Sequence, residues 1–277
     1  MPVQMTEIKA LSGEEETFIA PYLPRQNDPV TTSAQEHVVS RPFVTLTYAC
    51  SLDGMISLSP GVRTTLSGPE TKSMTHYLRS YHDAILVGVN TAIADDPSLN
   101  CRYPGTDPAT AIRPVVLDPR WRWSVDESKA MALANQREGK VPWVIHAAHV
   151  VARAPNFMFE PERLLVDDDG LWSSDISWNP PESDTLKWKA ILKALWQKGI
   201  RSVMIEGGAT VINDLLAEPG LVDSLIVTVA PTWLGQGGVT VSPAPKVQDE
   251  VRVNAARLKD TSWRQFGQDA VLCGRLE

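Results

Sequence analysis

The chain has 277 residues, with 26 lysines and arginines against 33 aspartates and glutamates, for a formal net charge of −7. That acidic balance argues against a general nucleic-acid or anionic-membrane surface, while leaving room for a local basic pocket that takes a phosphorylated small molecule. Apolar residues make up 43% and charged residues 21%, the composition of a globular protein rather than a disordered one.

Residues 1–40 read as a flexible extension. Pro21, Pro24 and Pro29 sit among polar residues and no apolar period persists, although a short helix near Glu14 to Ala20 fits. A single domain is expected over 41–277. Phe43 to Ala49 has strand composition, and a loop follows from Ser51 to Ser67. Ser67-Gly68-Pro69-Glu70 reads as a helix start, with proline in the first turn and an acid near the positive end of the helix dipole; the helix runs to about Tyr81. Ala84 to Val89 is a continuous apolar run, as expected of a strand buried on both faces. Short strands follow at Pro114 to Asp118 and Pro142 to His146, with a surface helix between them over Asp126 to Arg137. Arg163 to Val166 reads as a strand and Asp167 to Asp184 as an exposed loop.

Thr185 to Lys198 has the clearest helical pattern. Trp188, Ile191, Leu192 and Leu195 share a face, and Gly199 stands where a C-terminal cap belongs. Arg201 to Ile205 is a strand, Gly208 to Ala217 a helix, Leu221 to Val229 a strand, and Val251 to Arg275 a set of strands in hairpin arrangement. Alternating strands and helices predict an α/β fold with a mostly parallel sheet, helices on both faces and an antiparallel C-terminal edge.

The three cysteines, Cys50, Cys101 and Cys273, are far apart and form no Cys-x-x-Cys, which fits free thiols in a reducing compartment. Residues 1–16 contain Glu14, Glu15 and Glu16 and no apolar stretch of the signal-peptide kind. The longest apolar runs, such as Leu225 to Ala230, are too short to span a bilayer. A soluble cytoplasmic protein is the expectation. The histidines show no ligand spacing, so no metal site is expected, and neither a Gly-x-Ser-x-Gly elbow nor a Walker loop occurs.

Four segments are candidates for chemistry. Ile205-Glu206-Gly207-Gly208-Ala209-Thr210 joins a strand to a helix. Its paired glycines allow close approach to the backbone, and the helix start offers unpaired N–H groups, a suitable seat for a dinucleotide pyrophosphate. A tight turn with no ligand reads equally well from these residues. Glu206 sits at the carboxyl end of its strand, where open α/β sheets place ligands, or is a solvated turn carboxylate. In Val87 to Leu99, Thr91 and Asp95 lie four apart and share a helix face, placed to grip ribose or amide groups; the alternative is helix capping, with Thr91 at one end and Asp95 or Asp96 at the other. Ser51-Leu52-Asp53-Gly54 is either a turn or a loop over a cofactor. Lys72, His76 and Arg79 share a helix face and Arg102 follows downstream, forming either a solvated basic face or a phosphate site.

The order of these segments carries more than any one of them. Thr45 to Gly54 (TLTYACSLDG), Tyr77 to Leu99 (YLRSYHDAILVGVNTAIADDPSL), Arg113 to Asp118 (RPVVLD), Gly199 to Thr210 (GIRSVMIEGGAT) and Leu221 to Pro231 (LVDSLIVTVAP) together resemble the reductase of riboflavin biosynthesis. That reductase occurs as the C-terminal domain of bifunctional bacterial deaminase-reductases and as a stand-alone enzyme in fungi and archaea. The resemblance runs from about Arg41 to Arg275. It implies a dihydrofolate-reductase-like α/β fold, a homodimer and NADPH as cofactor. The zinc signature of the partner deaminase is absent from this chain, so the resemblance is to the stand-alone fungal type. The implied substrate is 2,5-diamino-6-ribosylamino-4(3H)-pyrimidinone 5′-phosphate, reduced to its ribitylamino form. A pterin-type reductase of the same fold and a non-catalytic dinucleotide-binding relative are the alternatives.

By position, the resemblance implies that Thr91, Asp95, Gly207, Gly208, Ala209 and Thr210 contact the cofactor. It implies that Arg79, Leu99, Arg102 and Glu206 contact the substrate, Arg79 and Arg102 through the 5′-phosphate. Glu206 and Asp53 are the candidate catalytic carboxylates, for orientation or for a proton to the substrate nitrogen. The bifunctional relatives carry a serine and a tryptophan just before the first helix. Here that stretch reads Val62-Arg63-Thr64-Thr65-Leu66-Ser67, so no contact is transferred to it.

Overall fold

A computed structural model describes residues 7–25, 41–147, 163–167, 170–171, 187–218 and 220–277. In chain order the elements are α1 (Gly13–Ile19), β1 (Phe43–Cys50), β2 (Met55–Ser57), α2 (Pro69–Ser80), β3 (Ala84–Gly88), α3 (Val89–Asp95), β4 (Arg113–Leu117), α4 (Lys129–Asn135), β5 (Trp143–Ala147), β6 (Arg163–Asp167), β7 (Gly170–Leu171), α5 (Trp188–Gln197), β8 (Ser202–Gly207), α6 (Ala209–Ala217), β9 (Ser224–Val229), β10 (Val239–Thr240), β11 (Lys246–Gln248), β12 (Val251–Val253), β13 (Leu258–Phe266) and β14 (Asp269–Leu276).

Ten strands form one sheet in the order β13-β14-β9-β1-β8-β3-β4-β5-β6-β7. β9, β1, β8, β3, β4, β5 and β6 run parallel, and β14 and β13 add the antiparallel edge expected of the C-terminal strands. The first four residues of β3 and all of β5 are buried, as continuous apolar strands covered on both faces should be. On one face α5 and α6 lay Leu192, Leu195, Ile212 and Leu215 over Leu46, Leu86 and Ile205. On the other, Met74 and Leu78 of α2 pack over Met204 and Ile226. The carboxyl ends of β1, β8 and β3 therefore open at one rim of the sheet, where crevices for ligands form in such folds.

The structure departs from the sequence reading in five places. Residues 7–25, read as part of a flexible extension, are docked on the body. Ser12 caps α1 in a capping box with Glu15, and Ile19, Tyr22 and Leu23 are buried against α2 and β14. The Tyr22 hydroxyl donates to the Asp260 carbonyl at 2.6 Å, and Arg275 donates to the Pro21 carbonyl at 2.9 Å. These few apolar residues, interrupted by prolines, leave no helical period to read. Residues 1–6 and 26–40 lie outside the described residues. The helix expected over Asp126 to Arg137 begins only at Lys129, because Ser128 caps it by accepting the Met131 N–H. The helix expected from Thr185 begins at Trp188, with Thr185 and Leu186 outside the described residues. The loop Ser51 to Ser67 contains β2, which pairs with β10. Within Asp167 to Asp184, Asp167 and Gly170–Leu171 are strand, and the rest lies outside the described residues.

Candidate active site

The site is built around Glu206. Leu86 pairs with Ile205 but Val87 pairs with Gly207, so Glu206 is an extra residue in β8. A bulge of this kind breaks the ladder and re-aims the side chain it carries. The Glu206 carboxylate turns to Arg79 in the last turn of α2. Arg79 Nη2 donates to Oε1 at 2.9 Å and to Oε2 at 2.8 Å, and Nε donates to Oε1 at 3.1 Å. Arg79 Nη1 donates to the Asn100 carbonyl at 2.9 Å. This planar, charge-assisted fork fixes the carboxylate in orientation as well as in place.

The loop after α3 runs beneath that pair. Leu99 takes φ +51° and is buried with Ile85 and Val116. Cys101 Sγ donates to the His76 carbonyl at 3.3 Å, and the Arg102 N–H donates to His76 Nδ1 at 3.0 Å. Arg102 Nη2 lies 3.2 Å from His76 Nε2. Burial, with Arg79 and Arg102 nearby, pushes the His76 imidazole down to about 2, so it is neutral at working pH. Burial also lowers the Arg102 guanidinium. The basic cluster is thus Arg79, Arg102 and a neutral His76. Lys72 is half-buried one turn earlier on α2 and no side-chain hydrogen bond joins it to them among the described residues.

Beside Glu206 the chain turns through Gly207 (φ +74°) and Gly208 (φ +108°), a backbone that other residues rarely adopt. A Cβ on Gly207 would overlap Ile212, and one on Gly208 would stand 2.8 Å from Thr91 Oγ1. Thr91 Oγ1 donates to the Gly207 carbonyl at 3.2 Å and ties α3 to this turn. No side chain caps α6, so the N–H groups of its first turn, from Ala209 and Thr210 onward, point out of the helix start. Thr91 and Asp95 both lie within α3, whose N-cap is Gly88; the capping alternative holds at the other end, where Asp96 is the C-cap. Burial raises the Asp95 carboxyl while Arg63 works in the opposite direction. An uncapped, amide-lined helix start behind two glycines fits the pyrophosphate of a nicotinamide dinucleotide.

Asp53 does different work. Its carboxylate accepts from Ser51 Oγ, from the Leu234 N–H at 3.1 Å and from the Gly235 N–H at 2.8 Å. The Ser51 bond leads in holding its pKa below the usual range, so it stays ionised and anchors the loop after β1 to the 234–235 turn. Sequence reasoning missed three features of this region: the bulge at Glu206, the Asn100 carbonyl that positions Arg79, and Asp269, which caps α2. None leaves a local signal, since each depends on a partner distant in the chain.

Comparison with known proteins places the chain in a family. Residues 42–272 match the RibD C-terminal domain family. The chain belongs to that family. It is therefore an enzyme of a reductase family, with the mostly parallel α/β sheet that the sequence analysis expected. It is 41% identical over 94% of its length to the 2,5-diamino-6-ribosylamino-4(3H)-pyrimidinone 5′-phosphate reductase of Debaryomyces hansenii, covering 95% of that protein. It is 44% identical over 87% of its length to the enzyme of the same name in Candida glabrata, covering 92% of it. Among solved structures it resembles the riboflavin biosynthesis reductase Rib7 of Saccharomyces cerevisiae, with a TM-score of 0.70 and 35% identity, covering 95% of this chain and 100% of that one. No described helix of this RibD-family member is long and apolar enough to cross a membrane.

Proposed function

We propose that this protein reduces the ribose side chain of 2,5-diamino-6-ribosylamino-4(3H)-pyrimidinone 5′-phosphate to the ribityl chain, with NADPH as reductant. The observation that carries the reading is the juxtaposition of the Gly207–Gly208 cradle with the Arg79–Glu206 pair on consecutive residues of one strand end. A dinucleotide seat and a polar substrate seat then share one wall. The names of the fungal relatives supply the substrate. The family resemblance supports NADPH, a homodimer and a cytoplasmic location.

When bound, the reduced nicotinamide supplies a hydride, and the protein supplies position and electrostatics. The ribosylamine opens to an imine, C1′ gains the hydride, and the nitrogen gains a proton to become the secondary amine of the product. The first-turn N–H groups of α6 hold the pyrophosphate, and Thr91 keeps the cradle open. Glu206, held by Arg79, accepts hydrogen bonds from the substrate and orients it. Arg102 holds the 5′-phosphate. Water supplies the proton unless Glu206 does, and Asp53 takes no part in that transfer. Orienting the two reactants contributes several kcal/mol, part of the roughly 7–11 kcal/mol available from proximity.

The test is NADPH oxidation by the pure protein with the pyrimidine ribosylamine phosphate, run beside the deaminated substrate and dihydrofolate. Oxidation with the diamino substrate is expected. No turnover with it, or turnover with dihydrofolate alone, overturns the reading.

A further inference from the structure

The N-terminal segment reaches the active-site loop through one phenol. The Tyr103 hydroxyl accepts from the Leu11 N–H at 2.9 Å and donates to Glu16 Oε1 at 3.4 Å. These partners lie 92 and 87 positions upstream, in the segment 7–25. A phenol has one proton to give, and Glu16 takes it. Burial raises the Tyr103 phenol, the Leu11 N–H works against that and the Glu16 carboxylate adds to it, so the hydroxyl keeps its proton.

The same segment is fastened firmly elsewhere. Ile19 is fully buried, the Lys9 N–H donates to Ser73 Oγ of α2 at 3.1 Å, and Arg264 of β13 donates to Glu14 at 2.8 Å. It therefore ties the C-terminal hairpin and α2 to Tyr103. The loop at the far end of this tie has little else to define it. Among the described residues, no backbone–backbone hydrogen bond holds residues 97–101. Side chains hold the loop instead. Asn100 donates to the Glu138 carbonyl at 2.8 Å, Cys101 Sγ to the His76 carbonyl at 3.3 Å, and the Tyr103 ring meets Tyr77 of α2 edge-on with centroids 5.2 Å apart. A loop pinned at separate points opens locally when one pin is released. This loop carries the Asn100 carbonyl that positions Arg79, and it carries Arg102.

We propose that residues 7–25 act as a strap on the active-site loop, and that Tyr103 is the positioning residue through which the strap sets residues 99–102 for the substrate. The inference rests on the function proposed above for what those residues contact. Tyr103 itself takes part in neither the hydride nor the proton step.

Tyr103→Phe keeps the ring against Tyr77 and removes both bonds to the strap. KM for the pyrimidine ribosylamine phosphate is expected to rise about three- to tenfold, the weight of one ordinary hydrogen bond, with kcat and NADPH affinity unchanged. Glu16→Ala should raise KM by less, since the Leu11 N–H still meets the hydroxyl. Combined with Tyr103→Phe it should add nothing, because both act through the same hydroxyl. Glu16→Gln keeps an acceptor and should show the wild-type KM. A tie that serves stability alone lowers resistance to urea and leaves KM unmoved, and that result overturns the proposal. Additive effects in the double variant, or NADPH affinity falling together with substrate affinity, overturn it as well.

Should the variants fail to fold, amide hydrogen exchange on the wild-type protein answers the same question. Saturating pyrimidine substrate is expected to slow exchange at the Leu11 N–H as well as in the loop, because coupling between two sites is reciprocal. Protection gained in the loop with Leu11 unchanged overturns the proposal. Faster exchange over 99–102 in Tyr103→Phe, in a protein that oxidises no NADPH with this substrate, would sink the proposed reaction and leave the strap standing. Turnover with a KM indifferent to Tyr103 would do the reverse.

Discussion

Arg79 and Glu206 lie 127 residues apart in the chain and close on each other through three hydrogen bonds between 2.8 and 3.1 Å. Their side chains are only 11% and 21% exposed, so the pair is largely shielded from water. Arg79 is thereby engaged with a carboxylate and a backbone carbonyl, and the proposed function assigns the phosphate to Arg102. Arg79→Ala should lower turnover with the phosphorylated substrate and its dephosphorylated analogue alike, because it acts through Glu206. Arg102→Ala should raise KM for the phosphorylated form alone, by about tenfold or more. A loss specific to the phosphorylated form in Arg79→Ala would reassign the phosphate to Arg79. A double-mutant cycle on Arg79 and Glu206 by urea unfolding should return a coupling of about 1–3 kcal/mol.

Gly208 separates the cofactor cradle from Thr91. At φ +108° a side chain is strained, and its first carbon would crowd Thr91 Oγ1 at 2.8 Å. Gly208→Val should weaken NADPH binding by about tenfold or more while leaving substrate binding in the absence of cofactor unchanged. Fluorescence titration with NADPH checks this, and unchanged affinity would move the pyrophosphate elsewhere.

The parts of the fold that depend on local pattern were legible in the sequence. The apolar run of β3, the Gly68-Pro69 helix start and the Gly207–Gly208 turn all carry their reason within a few residues. The parts that depend on register or on distant partners were not. Glu206 becomes a bulge only because β3 and β8 slip by one residue where they pair. His76 reads as one base on a helix face, yet its burial against Arg102 makes it neutral. Asp53 reads as a turn residue or a cofactor-loop acid, and the 234–235 backbone that it anchors lies about 180 residues downstream.

Asp269 shows the same remoteness, acting on α2 from 201 positions away. The helix has no side-chain cap of its own at Gly68. The buried Asp269 carboxylate replaces it, accepting from the Gly68 N–H at 2.8 Å and Thr71 Oγ1 at 2.6 Å. A helix-start N–H and a hydroxyl lose their partner in Asp269→Ala, which should cost about 1–3 kcal/mol in urea unfolding. Because α2 carries His76 and Arg79, KM for the phosphorylated substrate should also rise. A variant as stable as the wild type would show that water caps the helix equally well.

Two buried histidines set the acid limit of the fold. Burial pushes His82 down to about 4, where it contacts the Leu78 carbonyl and Thr45 Oγ1. His76 is pushed lower still, to about 2. Both are neutral when folded and titrate near pH 6.5 when unfolded, so the unfolded chain binds more protons between those values. Their contribution is complete above about pH 6.5 and is lost as pH falls toward the folded values, by about 2 kcal/mol for each between pH 7 and pH 5. Urea unfolding should therefore show stability dropping across that interval. His76→Gln, whose amide does not titrate, should flatten the drop, and a slope unchanged by the substitution would mean that His76 is protonated in the folded protein.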